Sequence, residues 1–495
     1  MSILDSLMLT LPELVLTGAA LTLMLVAAFA GDRATRLINA GAIAALIGAT
    51  SVLGREGVGF DGLYTADAFS NFTKPLIYLA AGVSILLSTR FFAAEERLRA
   101  EYSVLILLAT IGMGMMVSAS NLLTLYVGLE MQSLAAYVLA SFMRKDARSA
   151  EAGLKYFVLG ALASGILLYG ISLLYGFSGT IDYHGVAKSL ADGVNMGELF
   201  GIVFVLAGLS FKIAAVPFHM WTPDVYEGAP TPVTAYFGTA PKVAAVALLV
   251  RVSIEAMGSA VSSWQQILIF TSLASIILGA VGAIGQTNVK RLLAYSSINN
   301  VGFVLVGLAA GTEAGVAATL TYMVIYVLMT LGSFACVLQM RTADGVHVED
   351  IQSLSGLSRR QPALAAALAI FMFSLAGIPP LLGFWAKFVV FDAAVAAGLM
   401  PLAAIGIAAS NFTNSRIVER FGARRVSQTA LLTFIALGGL QLLAATFVPT
   451  SLPIFMVLLT GNMAMIGFIG SNFSSIAMTP FGHVEGAASS FQTFV

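Results

Sequence analysis

Charge is what this chain has least of. Only 10% of its 495 residues are Asp, Glu, Lys or Arg, against roughly 25% in a soluble domain, while 58% are hydrophobic. That balance excludes an ordinary water-soluble globule and reads as a polytopic membrane protein. Cysteine is nearly absent: Cys336 stands alone inside an apolar segment, which excludes an intrachain disulfide framework and any cysteine-based metal or iron–sulfur site. The formal net charge is zero and no long basic or acidic run occurs, so nucleic acid is not an expected partner. No glycine-rich dinucleotide fingerprint sits in a strand–helix–strand setting. The apolar run at the N-terminus has no basic residue ahead of it, as a secretory signal requires, so it is expected to be a first membrane helix.

What is present is a succession of apolar stretches. A membrane-spanning helix needs about 20 such residues, and candidates begin near 11, 36, 73, 102, 120, 151, 198, 239, 264, 299, 318, 364, 400, 429 and 453. The expected fold is therefore all-α, a polytopic membrane protein of about fourteen transmembrane helices. Lys and Arg collect in cytoplasmic loops. Here they gather after the first, third and fifth segments (Arg33, Arg36; Arg90, Arg97, Arg99; Arg144, Lys145, Arg148) and again at Lys290, Arg291, Arg341, Arg359 and Arg360. The N-terminus is predicted to face away from the cytoplasm.

Against that background four charges stand out. Glu130, Lys155, Lys212 and Lys387 all lie inside membrane-length apolar stretches. An ionisable group near the bilayer midplane costs from about 2.5 to more than 10 kcal/mol, so it persists where it faces a bundle interior or water, and it marks an ion path by default. Two stretches are also interrupted alike. FKIAAVPFHMWTPDVYEGAPTPV has Pro217 and Pro223 just past Lys212, and FSLAGIPPLLGFWAKF has Gly377, Pro379 and Pro380 just before Lys387. A proline break frees backbone groups that lipid cannot satisfy, so such breaks line polar cavities. Paired breaks in corresponding positions are the sign of an internally repeated transporter. Two five-helix units follow, spanning 102–258 and 259–410, after N-terminal helices at 1–101.

Other readings of these residues stand beside the ion path. Glu130 has Gln132 and Ser133 within local reach. Lys155 and Lys242 lie near the starts of their segments, where a long side chain can snorkel to the interface. His219 follows Lys212 by two helical turns, an alignment that the Pro217 break interrupts, and it is either a relay or a satisfied polar side chain. Desolvation lowers a lysine pKa and raises a carboxylate pKa, and an adjacent opposite charge reverses both. A buried lysine whose acidic partner comes and goes can thus release and regain a proton, and Glu130 with Lys155 or Lys212 is the expected switch.

Five blocks carry a family resemblance: NLLTLYVGLEMQSLAAYVLASF, EAGLKYFVLGALASGILLYGISLLYG, SFKIAAVPFHMWTPDVYEGAPTPVTAYF, NVKRLLAYSSINNVGFVLVGLA and FSLAGIPPLLGFWAKFVVF. They resemble subunit N of the bacterial proton-pumping NADH:quinone oxidoreductase, respiratory complex I, from near residue 1 to about 408. The resemblance implies two inverted, antiporter-like five-helix repeats with broken helices, in the bacterial inner membrane among the other membrane subunits. It implies proton translocation through Glu130, Lys155, Lys212, Lys242 and Lys387, with His219 as the further candidate. It also implies that NADH, FMN, iron–sulfur clusters and quinone belong to other subunits, with no cofactor or metal on this chain. A cation/proton antiporter subunit is the alternative.

Past about residue 408 the pattern changes. SRIVERFGARR and SNFSSIAMTPFGHVEGAASS resemble parts of major facilitator drug-resistance transporters, so 411–495 reads as a fragment of a different membrane protein, too short to transport by itself. Arg416, Arg420, Arg424 and Arg425 fall where a cytoplasmic loop is predicted. The proton path up to Lys387 is expected to be intact, and a non-pumping fusion product damaged at its C-terminus is the further alternative.

Overall fold

A computed structural model describes residues 2–94, 99–341, 347–379 and 381–406, with the isolated positions Ala436 and Leu440. The tail reading at 411–495, the Arg97 position and Pro380 lie outside the described residues.

The described chain is helical apart from one small hairpin. In order come α1 (Ile3–Leu9), α2 (Leu11–Ala30), α3 (Thr35–Ser51), the strands β1 (Gly57–Gly59) and β2 (Tyr64–Ala66), α4 (Ala68–Ala94), α5 (Glu101–Val117), α6 (Leu122–Ala140), α7 (Ala147–Ser178) and α8 (Tyr183–Ala191). Then follow α9 (Met196–Ile213), α10 (Trp221–Gly228), α11 (Thr231–Phe237), α12 (Ala240–Arg251), α13 (Val261–Ile284), α14 (Val289–Ala309), α15 (Glu313–Val337), α16 (Leu357–Arg360), α17 (Pro362–Ala376) and α18 (Leu382–Ala396). Among the described residues nine helical stretches are long and apolar enough to cross a membrane, and α5 and α17 are shorter apolar helices.

Helix starts are set by polar caps, as the backbone donors of a first turn require. The Asn121 carboxamide accepts from the amides of Leu123 and Thr124 at 2.9 and 2.8 Å to open α6. Asn195 and Glu198 cap each other's backbone at the head of α9, and Asn288 opens α14.

Two kinds of helix face separate. Outer faces are apolar and exposed: Leu154, Phe157, Val158, Leu162 and Tyr169 along α7, and Leu21, Met24, Leu25 and Phe29 along α2. Continuous exposed apolar faces of this extent suit lipid and not water. α12 is the opposite case, with every residue from Lys242 to Arg251 buried. Helix neighbours recur in a fixed order: α5 packs on α6, α6 on α7, and α7 on α9 and α10, while α13 packs on α14, α14 on α15, and α15 on α17 and α18. The leading pair in each series meets backbone to backbone. A Cβ on Gly112 of α5 would lie 2.7 Å from the Gly128 carbonyl of α6, and one on Gly302 of α14 would lie 2.8 Å from the Ile276 amide of α13. Close approach of this kind through small residues is how membrane helices gain packing where lipid supplies no hydrophobic drive.

Both expected breaks are present. α9 ends at Ile213 with Ala214 in the left-handed region (φ 63), ahead of Pro217, which disfavours helix in the residue before it. Pro223 does not break a helix: it lies in the first turn of α10, where no intrahelical donor is lost. α17 ends at Ala376 with Gly377 at φ 85, and the chain becomes helical again at Leu382. Only glycine takes that φ without strain.

Candidate functional site

The breaks organise the buried charges. A helix C-terminus leaves carbonyls unpaired and carries partial negative charge, so a cation fits there. At the first break the Lys242 ammonium, on the first turn of α12, donates to the Ile213 carbonyl at 3.3 Å. At the second the Lys387 ammonium donates to the Ala376 carbonyl at 2.8 Å. In each case the acceptor is the last residue of the helix that stops. Both lysines are buried, and each ammonium also faces an aromatic ring, Tyr226 at 6.0 Å for Lys242 and Phe303 at 4.4 Å for Lys387. Neither snorkels to the surface.

Lys212, on the last turn of α9, is the third buried lysine. Its ammonium donates to the Ser133 hydroxyl at 2.5 Å and lies 5.6 Å from the Tyr137 ring centre. Ser133 and Tyr137 share a face of α6 with Glu130 and Tyr126, because residues three, four and seven apart align on a helix. The Glu130 carboxylate accepts from the Ser164 hydroxyl of α7, and the Ser164 and Tyr126 hydroxyls are hydrogen-bonded to each other at 3.2 Å. Glu130 and Lys212 are therefore neighbours along one turn of α6 with Ser133 between them, and no direct ion pair joins them among the described residues. Two further groups of the first break are met locally. Trp221 donates its indole N–H to the Phe211 carbonyl at 3.0 Å, and the Val216 amide donates to the Ser275 hydroxyl at 2.9 Å.

Lys155 is placed elsewhere. Its ammonium pairs with Glu151 at 2.7 Å and Asp224 at 2.8 Å, and its side chain is 41% exposed. The expected Glu130–Lys155 switch does not form, since Glu130 finds Ser164 and Lys155 finds the acids at the helix end. Asp224 also binds Arg291 at 2.7 Å, and Arg291 binds Glu227 at 3.0 Å. Partial burial pushes the Asp224 carboxyl up, but Lys155 and Arg291 outweigh it and hold the group below its ordinary value. His219 sits half-buried in the stretch between α9 and α10. The helix stops at Ile213, so the Pro217 break interrupts the alignment of His219 with Lys212 as expected.

Two buried charge clusters escaped the sequence reading. Glu13 of α2 pairs with Lys74 of α4 at 2.7 Å, and the Tyr64 hydroxyl, carried in by the hairpin, donates to Glu13 at 2.8 Å while accepting from Lys74 at 2.6 Å. Arg251 of α12 is buried and binds Asp67 at 2.9 Å, Glu255 at 2.6 Å and the Val117 carbonyl at 2.9 Å. The signal was available for the first: Lys74 and Glu13 are ionisable residues in apolar stretches, the same mark that singled out Lys212.

Comparison with known proteins fits this arrangement. A family profile described as NADH:quinone oxidoreductase/Mrp antiporter, TM, matches residues 119–413. The NADH-quinone oxidoreductase subunit N of Rhizorhabdus wittichii is 68% identical over 415 residues, 83% of this chain and 86% of that protein. The chain belongs to the subunit N family. A further subunit N, from Erythrobacter litoralis, is 60% identical over 82% of this chain and 85% of its own length. In three dimensions this subunit N chain is similar to one in respiratory complex I from Thermus thermophilus, with a TM-score of 0.71 and 29% identity, covering 95% of this chain and 98% of that one. It also resembles a chain of the Mrp complex from a Dietzia species, with a TM-score of 0.71 and 25% identity over 83% of this chain and 79% of that one.

Proposed function

We propose that this chain is a membrane subunit of a proton-pumping NADH:quinone oxidoreductase and carries protons through a row made of the half-buried Glu130 and the buried Lys212, Lys242 and Lys387. The observation that carries this reading is the pair of helix breaks, each holding a buried ammonium on the carbonyl where the helix stops. A lysine held by a dipole and a ring, and not by a fixed carboxylate, changes its proton affinity when a mobile charge approaches. Glu130, one turn from the Ser133 hydroxyl that binds Lys212, is the acid placed to bias the row. Lys155 and His219 belong to its edge.

The two series of neighbouring helices support a division into N-terminal helices at 1–101 and two antiporter-like repeats at 102–258 and 259–410, within a bundle of about fourteen spans. The charge rule supports a bacterial inner-membrane location with the N-terminus away from the cytoplasm. The redox partners NADH, FMN, iron–sulfur clusters and quinone belong to other subunits, and this chain's own partners are the other membrane subunits of the complex and lipid.

The test is NADH-driven proton uptake into inside-out vesicles from cells lacking this chain, with and without complementation. Uptake that returns only with the chain supports the reading. The Mrp likeness favours one rival, a cation/proton antiporter subunit. Sodium-driven proton exchange that depends on this chain and needs no NADH would replace the first reading with the second.

A further inference from the structure

A cavity of about 160 Å³ opens where the α6–α7 loop, the α10–α11 junction and residues 347–349 meet. That is room for about five waters at roughly 30 Å³ each. Its wall is polar, with Arg148, Glu227, Thr231, Lys290, His347 and Glu349. Lys290, only 3% exposed in its side chain, binds Glu349 at 2.6 Å and donates to the Ala229 carbonyl at 2.9 Å. Thr231 and Asn288 also donate to Glu349 at 3.3 Å, and Arg148 lies 3.5 Å from it. Burial pushes the Glu349 carboxyl up, yet the Lys290 ammonium outweighs it and holds the group below the usual carboxylate range.

The inner end of this cluster continues along α14. Lys290, Ser297 and Asn300 are buried polar residues at positions that share one helix face. Ser297 is hydrogen-bonded to the Tyr326 hydroxyl at 2.6 Å, and the Tyr322 hydroxyl donates to Asn300 at 2.7 Å. A second, smaller cavity of about 10 Å³ adjoins this stretch, with Ser296, Ser297, Tyr326 and Thr330 beside the apolar Leu293, Phe334 and Leu375. Leu375 precedes Ala376, whose carbonyl holds Lys387, and Phe303, three residues past Asn300, is the ring beneath the Lys387 ammonium. From residue 290 to 303 the helix rises about 20 Å at 1.5 Å per residue.

We propose that the larger cavity is the intake of a proton route along α14 that feeds Lys387, with Glu349 as the acceptor and Lys290 as its inner relay. The inference rests on the proton-pumping reading above. The Glu349 carboxylate takes a proton from a hydronium ion in the cavity, leaving water and a neutral carboxyl. The Lys290 ammonium, no longer facing an anion, gives a proton to a water on the α14 side, which becomes hydronium, and the neutral amine then takes the proton on Glu349, so one proton enters and one leaves the pair. Arg148 and Asp146 line this end, and Arg144 and Lys145 lie next to lining residues in the sequence, so by the charge rule the end is cytoplasmic.

The test uses the assembled complex in inside-out vesicles, whose cytoplasmic face is outward. Glu349→Gln is expected to lower NADH-driven proton uptake about tenfold, within the range for losing a proton-transfer group, at unchanged complex content, with Glu349→Asp restoring most of it. Met143, which lines the cavity, is changed to Cys and treated with a membrane-impermeant thiol reagent, the native Cys336 being buried. Uptake should fall on labelling from outside. Normal uptake in Glu349→Gln beside lost uptake in Lys212→Ala overturns the intake and leaves the pumping reading standing. Normal uptake in both variants overturns both. If Glu349→Gln fails to assemble, full labelling of Met143→Cys without loss of uptake overturns the intake.

Discussion

Lys212 and Lys242 approach the first break from two helices, and only one of them uses the exposed carbonyl. Lys242 binds Ile213, whereas Lys212 turns to the Ser133 hydroxyl and so to the face that carries Glu130. Substituting Lys212 by Ala, or Glu130 by Ala, is expected to lower NADH-driven proton uptake about tenfold or more while leaving complex content near normal, read by blue-native gels and uptake together. Lys387→Ala should give an equal or smaller loss. The Glu13–Lys74 pair predicts a different pattern, because it is a closed unit of two charges and one hydroxyl. Removing one partner leaves a buried charge unpaired, at about 3–5 kcal/mol, while replacing both is milder. Glu13→Gln and Lys74→Met are each expected to reduce the amount of chain in the complex, and the double variant to recover part of it. Asp224 sets a pH expectation. Its carboxyl is held below its ordinary value, so its contribution to stability is present above the unfolded carboxylate pKa of about 3.9 and is lost only as pH falls through the lower folded value. Thermal unfolding of the solubilised complex should therefore show the same Asp224→Asn decrement at pH 5 as at pH 8.

At the scale of elements, the breaks and close contacts matter more than helix propensity. The sites of both breaks were legible because proline and glycine punctuate an otherwise uniform apolar pattern. What that pattern hid was the partner of each charge. Lys155 reads as an intramembrane lysine from composition, yet it lies near the start of α7 and is claimed by Glu151 and Asp224. Asp224 is carried there by α10, whose course after the break no periodicity reveals. The same holds for Glu349, brought to Lys290 from the segment before α16. Gly112 offers a test of packing: a side chain there must displace backbone of α6, and overpacking costs about 1–3 kcal/mol. Gly112→Val is expected to lower the melting temperature of the complex and the yield of chain in the membrane, where Ala109→Val on a neighbouring turn should do less.

For the whole molecule, two series of helices follow one another along the chain, each with a broken member and a buried lysine at the break. The described residues thus place a buried ammonium at each break, Lys242 on α12 and Lys387 on α18. The most direct measurement is the ratio of protons taken up to NADH oxidised in inside-out vesicles carrying the assembled Glu130→Ala, Lys212→Ala double variant. A ratio well below that of the parent complex, at equal complex content, is the expected result. A ratio equal to the parent's would contradict the assignment of this row as the proton path.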